Sequence, residues 1–435
     1  MSPELLGLIL IVVLFALLLL GVNVAVALAT IGLVGVTILT SMRSGLGMIQ
    51  VVPFTTVANF AFIALPLFIL MGEFAFNAGI TRDLFNAGYK WLGHLPGGMA
   101  MGVMAAGAGF GAISGSTLVS AAAMTRASWP ELMKFNYDKG LSAGTVASAG
   151  CLAVLIPPSI MAVIYGMFTQ TPIGPILMGG VIPGIITTVL FMSVIFIRAV
   201  MNPNLAPKGP RANWKERFGT FKHMWATVAL ILLVTGGIYA GIFTPTEAAA
   251  AGALGAFIIA LLTRSLNWAI FRSSMLSTLK TSSFIFLIMV GAFLFSRLLA
   301  LSKVSALVGG FVGGLEVNRV IILIGILLLY VGLGMLLDTV SMLAVSISTT
   351  FPIIIGLGFD PVWFGIVIVM MCEIAAVTPP VGLNVFADKA VLGDEIQTWT
   401  IYKSCIPFLA AHVTLMALII AFPQIVLWLP SKMAG

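Results

Sequence analysis

Apolar runs of roughly 17–25 residues recur from one end of the chain to the other, which is the length a helix needs to cross a bilayer. The strands of a membrane barrel would instead alternate in polarity over about 10 residues. Only 8% of the 435 residues are charged and 60% are hydrophobic. Soluble domains carry about 25% charged residues, so a chain this size could not keep its surface wet. The sequence specifies an all-α polytopic membrane protein. Residues 1–21 lack a basic start and an A-x-A site and carry Glu4, so they read as a first span, not a leader. Cys151, Cys372 and Cys405 lie in or beside apolar runs without metal or disulfide spacing, and read as small core residues. The net charge of +7 reports topology; no nucleic-acid footprint is expected.

Spans are expected at about 4–21, 23–41, 58–77, 140–167, 175–197, 223–243, 246–263, 281–296, 362–387 and 405–429. Two further regions, about 95–137 and 313–358, are long enough to enter and return on one side, and are expected to be re-entrant helical hairpins. This topology places sixteen of the 21 Lys and Arg residues on one side. Six of them lie in the loop 198–222. The positive-inside rule makes that side cytoplasmic and the N-terminus periplasmic. Were either hairpin a full span, the later loops would change sides and the asymmetry would vanish.

The chain also repeats itself at an offset near 220. Gly21–Gly32 aligns with Gly241–Gly252, and Phe68–Phe74 with Leu287–Phe293. Pro157–Pro158 lies over Pro379–Pro380, and Ser116 over Asp338. The expected organisation is two inverted repeats, 1–220 and 221–435, as in many secondary transporters. Each has an arm, a hairpin and a broken helix at Pro157 or Pro379. The arms, residues 44–56 and about 265–280, are expected to lie in the interface.

"GAISGSTLVS" (Gly111–Ser120) and "LLDTVSMLAVS" (Leu336–Ser346) are poor material for a lipid-facing helix. Broken helix is tolerated in a membrane only where protein buries it or it lines a cavity. A hairpin tip frees carbonyls at one helix end and amides at the next. Carbonyls and hydroxyls make an oxygen cage for Na⁺, and freed amides attract an anion. Ser114, Gly115, Ser116 and Thr117 suit one tip; Asp338, Thr339 and Ser341 suit the other. The Pro-Pro pairs leave upstream carbonyls unpaired. The candidates are Ala153, Val154 and Leu155 with Ser159, and Ala376, Val377 and Thr378 followed by Gly382 and Asn384. Buried carboxylates default to functional candidates. Asp338 leads them, Glu247 reads as a helix cap with Thr244 or Thr246, and Glu73 and Glu373 stay open. His94, His223 and His412 are expected near span ends or far from the hairpins, which favours Na⁺ over H⁺. No G-x-x-x-x-G-K-[ST], H-E-x-x-H or G-x-S-x-G occurs, so ATP hydrolysis, protease and esterase chemistry have no support.

"LPLFILMGE" (Leu65–Glu73), "GAISGST" (Gly111–Thr117), "LIPPS" (Leu155–Ser159), "GIFTPTEAAA" (Gly241–Ala250), "GMLLDTVSM" (Gly334–Met342) and "TPPVGLN" (Thr378–Asn384) stand in this order over the full length. Together they resemble the large membrane subunit of tripartite ATP-independent periplasmic (TRAP) transporters. The resemblance implies an elevator-type carrier that imports organic anions such as dicarboxylates, sialic or other sugar acids, or sulfonates on a Na⁺ gradient. It implies a small four-helix membrane subunit, expected here as a separate polypeptide, and a periplasmic substrate-binding protein. It implies a bacterial inner membrane, Na⁺ as coupling ion and no bound cofactor. Candidate cation ligands are then Ser114, Gly115, Ser116, Leu155, Gly334, Asp338, Thr339, Val377, Thr378 and Pro379. Candidate substrate contacts are Ser116, Thr117, Ser159, Thr339 and Asn384. "LIPPS" lacks the Thr and Asn of "TPPVGLN", so two cation sites would differ. Arg126 is either an anion contact or an anchor at the cytoplasmic face. A symporter working without a binding protein is the alternative, and a channel a more distant one.

Overall fold

The computed structural model describes residues 2–314 and 317–433. The first half runs α1 (Pro3–Leu19), α2 (Val24–Leu39), α3 (Met42–Val57), α4 (Ala64–Asn77), α5 (Ile80–Leu92), α6 (Gly98–Ser114), α7 (Thr117–Lys134), α8 (Lys139–Leu155), α9 (Ile160–Thr169), α10 (Ile173–Gly179) and α11 (Val181–Met201). The second runs α12 (Trp214–Gly219), α13 (Phe221–Ile231), α14 (Gly237–Tyr239), α15 (Pro245–Leu262), α16 (Trp268–Leu301), α17 (Val304–Gly313), α18 (Arg319–Leu336), α19 (Thr339–Gly356), α20 (Pro361–Val377), α21 (Leu383–Leu392), α22 (Thr398–Ala421) and α23 (Gln424–Leu427). Among the described residues, eight helical stretches are long and apolar enough to cross a membrane.

The two expected hairpins are helix pairs with two-residue connections, α6–α7 and α18–α19. Each arm is 17 or 18 residues long, which is about 26–27 Å of helix. Such arms nearly match a hydrocarbon core of about 30 Å. The start of α8 at Lys139 recurs as the start of α20 at Pro361, an offset of 222 residues. Asp138 and Asp360 cap these two helices through their side chains. Pro130 and Pro352 sit inside α7 and α19, also 222 apart. Both Pro-Pro bonds, 157–158 and 379–380, are cis.

Packing between the halves is reciprocal. Helix α2 packs on α16 while α4 packs on α15. Helix α21 lies on hairpin arm α7, and α9 lies on hairpin arm α19. Cys151 and Glu373 are 222 apart and touch, with the Cys151 thiol 3.5 Å from the Glu373 carbonyl. Equivalent residues meet only near a pseudo-two-fold axis, so the axis passes between α8 and α20.

The second arm differs from expectation. Residues 265–280 are not a separate interfacial segment: Trp268–Leu301 form one 34-residue helix, about 51 Å long. In the first half, a 3₁₀ turn capped by Asn59 separates α3 from α4. In α16, no Pro or Gly precedes Gly291 to interrupt the ladder. Glu73 sits at the α4–α16 contact, where the Ser277 hydroxyl donates to it. Glu247 forms a capping box with Thr244 at the start of α15, as its spacing implies.

His412 makes a buried contact that the sequence does not announce. It is 1% exposed on α22, and its Nε2 lies 2.7 Å from Oε2 of the fully buried Glu373 on α20. Phe191 caps the imidazole edge-on at 4.9 Å. One helical register places His412 toward α20, which hydropathy alone does not reveal. Removing one member strands the other in an apolar core, which costs about 3–5 kcal/mol, whereas well-packed apolar replacement of both is often neutral. His412→Leu and Glu373→Met should therefore each lower the unfolding midpoint of the detergent-solubilised protein. The double variant should recover most of that loss; a purely additive double variant would show that the two groups are not coupled.

Candidate functional site: two tips against two broken helices

Helix α6 ends at Ser114, Gly115 takes φ +62°, Ser116 is extended, and α7 begins at Thr117. A left-handed φ suits glycine. Here the space demands it too, because a Cβ on Gly115 would lie 2.5 Å from the Pro158 carbonyl oxygen. The amide of Ile160 donates back to the Gly115 carbonyl at 3.4 Å. The first tip is therefore seated on the break between α8 and α9. That break bends the pair by 41°. The Ser114 and Ser120 hydroxyls pair at 2.7 Å within this buried junction. Ser159 caps α9 by accepting from the Ala162 amide.

The second tip repeats the arrangement with different chemistry. Leu337 and Asp338 are extended between α18 and α19. Oδ1 of Asp338 accepts the Val340 and Ser341 amides, both at 3.1 Å, and Oδ2 accepts the Ser341 hydroxyl. A carboxylate at a helix N-terminus is favoured by both these bonds and the dipole. At the facing break, Thr378 Oγ1 donates to the Ile374 carbonyl at 2.6 Å. The Tyr402 hydroxyl on α22 donates to the Pro380 carbonyl at 2.9 Å. Gly382, φ +39°, begins the turn into α21.

One shared device holds each tip to its break. A Cβ on Gly111 would lie 2.7 Å from Ala153 Cα, and one on Gly334 would lie 2.6 Å from Ala375 Cβ. Ala153 and Ala375 are 222 apart. Small residues let helices approach closely in a bilayer, and here they bring each hairpin onto its broken helix. Ser114, Gly115 and Ser116 lie at the first junction; Gly334, Asp338 and Thr339 belong to the second tip, and Val377, Thr378 and Pro379 to the end of the helix on which it packs.

Others are placed differently. The Leu155 carbonyl lies against Gly180, where a Cβ would approach it to 2.2 Å, on the α10–α11 side. Asn384 is 0% exposed, and its Nδ2 donates to the Ala147 carbonyl at 3.1 Å, so it faces α8. Three participants escape a reading of the sequence: the Pro158 carbonyl at the first tip, Tyr402 at the second break, and Thr235. The Thr235 hydroxyl, in a π-helical stretch Leu232–Gly236 after α13, reaches the Pro157 carbonyl at 3.4 Å. Such bulges often mark functional positions, but nothing in local composition announces this one.

Two cavities adjoin hairpin arm α7. One of about 280 Å³ lies between it and the α4–α16 pair, lined by Glu73, Leu118, Ala122, Arg126 and Ser277 among others. The other, about 430 Å³, holds Arg82, Asn86, Tyr89, Arg126 and Glu131. Arg126 lines both, and among the described residues neither Arg126 nor Arg82 has a carboxylate within 4.0 Å. Between the α5–α6 turn and α12, His94 Nδ1 lies 3.2 Å from an Arg217 guanidinium nitrogen. Burial, then the Arg217 and Arg211 charges, lower His94 from its ordinary value, which favours the neutral ring that can accept from Arg217. No group of three or more His, Cys, Asp or Glu side chains that could hold a metal exists among the described residues.

The family model for the tripartite ATP-independent periplasmic transporter, DctM component, matches residues 11–425. The chain belongs to this family. It is 30% identical to a C4-dicarboxylate TRAP transporter large permease of Pseudomonas aeruginosa, over 92% of this chain and 94% of that one. It is 31% identical to the ectoine TRAP transporter large permease of Halomonas elongata, over 97% of this chain and 98% of that one. It is 32% identical to an isethionate TRAP transporter permease of Oleidesulfovibrio alaskensis, over 93% of this chain and 63% of that one. Its fold is similar to the crystal structure of the YdaH transporter of Alcanivorax borkumensis, at TM-score 0.61 and 15% identity over 94% of this chain and 99% of that one. As a TRAP large permease the chain is a multi-pass inner-membrane transport protein and not an enzyme.

The glycine–alanine contacts give a direct check on this architecture. Gly111→Ala and Gly334→Ala each place a methyl where a neighbour leaves no room, and overpacking costs about 1–3 kcal/mol. A Cβ on Gly325, within α18, would meet nothing within 4 Å, so Gly325→Ala should be neutral or stabilising by about 0.5–1 kcal/mol. Thermal unfolding in detergent should rank the first two well below the third. Equal midpoints would show that the tips are not seated on the breaks.

Proposed function

We propose that this permease couples Na⁺ entry to the import of an organic anion delivered by a periplasmic binding protein. The observation that carries this reading is the paired tip–break junction, occurring once in each half. Each junction gathers carbonyls, hydroxyls and a helix N-terminus where α-helical hydrogen bonding is interrupted. Those are the groups that replace water around Na⁺ and that meet an anion. The Asp338 carboxylate, already serving the α19 cap, adds charge to the second junction. The unpaired Arg126, shared by both cavities beside α7, supports an anion path there and weighs against a mere anchor. The relatives' names give two organic anions, a C4-dicarboxylate and isethionate, alongside ectoine.

The two hairpins, α8–α9 and α20–α21 pack on one another, and the flanking α2, α4, α15 and α16 pack among themselves. We take the first group as the body that moves and the second as the frame it moves against, in an elevator cycle. The hairpins are re-entrant in this reading, the halves are inverted, and the N-terminus is periplasmic. The charge asymmetry of the loops is the support for that orientation. A small four-helix membrane subunit completes the frame.

Uptake into proteoliposomes tests the reading. The chain is reconstituted with its small subunit and offered a panel of labelled organic anions, with and without an inward Na⁺ gradient and the binding protein. Uptake that requires both supports the proposal. Uptake with Na⁺ alone would make this a self-sufficient symporter, and flux indifferent to Na⁺ would contradict the cation sites. Asp338 can be tested by keeping its cap and removing its charge, since Asn caps about as well as Asp. Asp338→Asn should raise the half-saturating Na⁺ concentration about tenfold, which is about 1.4 kcal/mol of cation binding. An unchanged Na⁺ dependence would confine Asp338 to capping.

A further inference from the structure

A second fully buried carboxylate, besides Glu373, lies outside both junctions. Asp388 sits on α21 with 0% exposure. Its Oδ1 is 2.6 Å from Oγ1 of Thr125, on hairpin arm α7, and its Oδ2 has no hydrogen-bond partner. The bond joins the second half's broken helix to the first half's hairpin. Among the described residues, no Lys, Arg or His nitrogen lies within 4.0 Å of it. The adjacent Lys389 is turned away, its Nζ donating to the Gly393 and Ile396 carbonyls and lying 3.7 Å from Asp394.

Donor counting identifies the protonation state. Thr125 Oγ1 also lies 2.9 Å from the Ala121 carbonyl. Its one hydroxyl proton cannot serve two acceptors. If Asp388 is a neutral acid, its O–H donates to Thr125 Oγ1, and Thr125 donates to Ala121; both short contacts are then satisfied. If Asp388 is a carboxylate, one contact is an acceptor–acceptor pair, and an unpaired charge is buried with it. Buried groups of this kind neutralise.

We propose that Asp388 and Thr125 form a proton-binding site within the hairpin–broken-helix body. The groups facing it favour a proton over Na⁺. From α8 comes Cys151, and from α22 Cys405, its near titratable neighbours. Trp129 of α7, Ala147 of α8 and Val385 of α21 belong to the same buried apolar cluster. Sulfur and methyl groups make poor ligands for a hard cation. Asn384, one turn before Asp388, offers a further oxygen, Oδ1, which has no partner, and Ser148 of α8, beside Cys405, brings a buried hydroxyl without one. Since Asp388 is sealed inside that body, its proton reaches water only through a local opening at the α7–α21 contact while the body otherwise stays together, so proton exchange is tied to conformation. On release the proton goes to the aqueous phase, and Thr125 turns to donate to the carboxylate left behind.

Infrared spectroscopy of the purified protein tests this without relying on transport. The wild-type minus Asp388→Asn difference at pH 7 should contain a protonated-carboxyl C=O stretch, replaced by carboxylate bands as pH rises. Thr125→Val should shift that stretch by removing its acceptor, and Thr125→Ser should restore it. Carboxylate bands alone at pH 7, or bands that move with added Na⁺ at fixed pH, would overturn the proposal. If Asp388→Asn fails to fold, the wild-type minus Thr125→Val difference carries the same comparison. In proteoliposomes, the pH dependence of uptake should flatten in Asp388→Asn; an unaltered profile would contradict a proton exchanged during the cycle. Absence of any Na⁺-driven uptake would sink the functional reading above while leaving the infrared result standing.

Discussion

The bilayer cannot hydrogen-bond a peptide group. Every interruption of a helix in this chain must therefore be buried in protein or open onto a cavity. That constraint explains why the two hairpin tips and the two Pro-Pro breaks are found together. Each tip exposes amides and carbonyls that its own helices cannot satisfy, and each break does the same. At the first junction the break completes the tip, Ile160 donating to Gly115; at the second, the tip's own Asp338 fills the N-terminus of α19. The groups left over are the ones that can take a cation or an anion.

Holding the tips in place requires close backbone approach, which glycine and alanine allow. The same logic governs the flanking helices. A Cβ on Gly32 would lie 2.5 Å from the Leu294 backbone, and one on Gly291 2.5 Å from the Ala25 carbonyl. Reciprocal packing across the pseudo-axis then follows from the repeat: what α21 does to α7, α9 does to α19.

Much of this is legible in the sequence. The span-length runs, the two Gly/Ser/Thr interruptions and the near-constant offset determine the helix order and the four interruptions, since each is a local, strong signal. The rest depends on rotation of a helix about its axis, which hydropathy hardly records in a chain apolar on all sides. Asn384 faces α8, and His412 faces Glu373, for that reason. Asp388 escapes notice because "DKA" beside Lys389 reads as a solvated helix end. The length of α16 is hidden because a charge-bearing stretch, Arg272 to Lys280, looks interfacial although nothing in it breaks a helix. Pro158 acts through its carbonyl, a group no motif displays.

In the proposed cycle, hairpins and broken helices form one body that moves against α2, α4, α15 and α16. Electron–electron distance measurements test it directly. Phe386 on α21, Leu328 on α18 and Leu254 on α15 are exposed at 49%, 65% and 59%, and the three native cysteines are buried. Spin labels at 386 and 328 should keep one distance with and without Na⁺ and substrate. Labels at 328 and 254 should change theirs. A 386–328 distance that shifts while 328–254 stays fixed would rule out this division into body and frame.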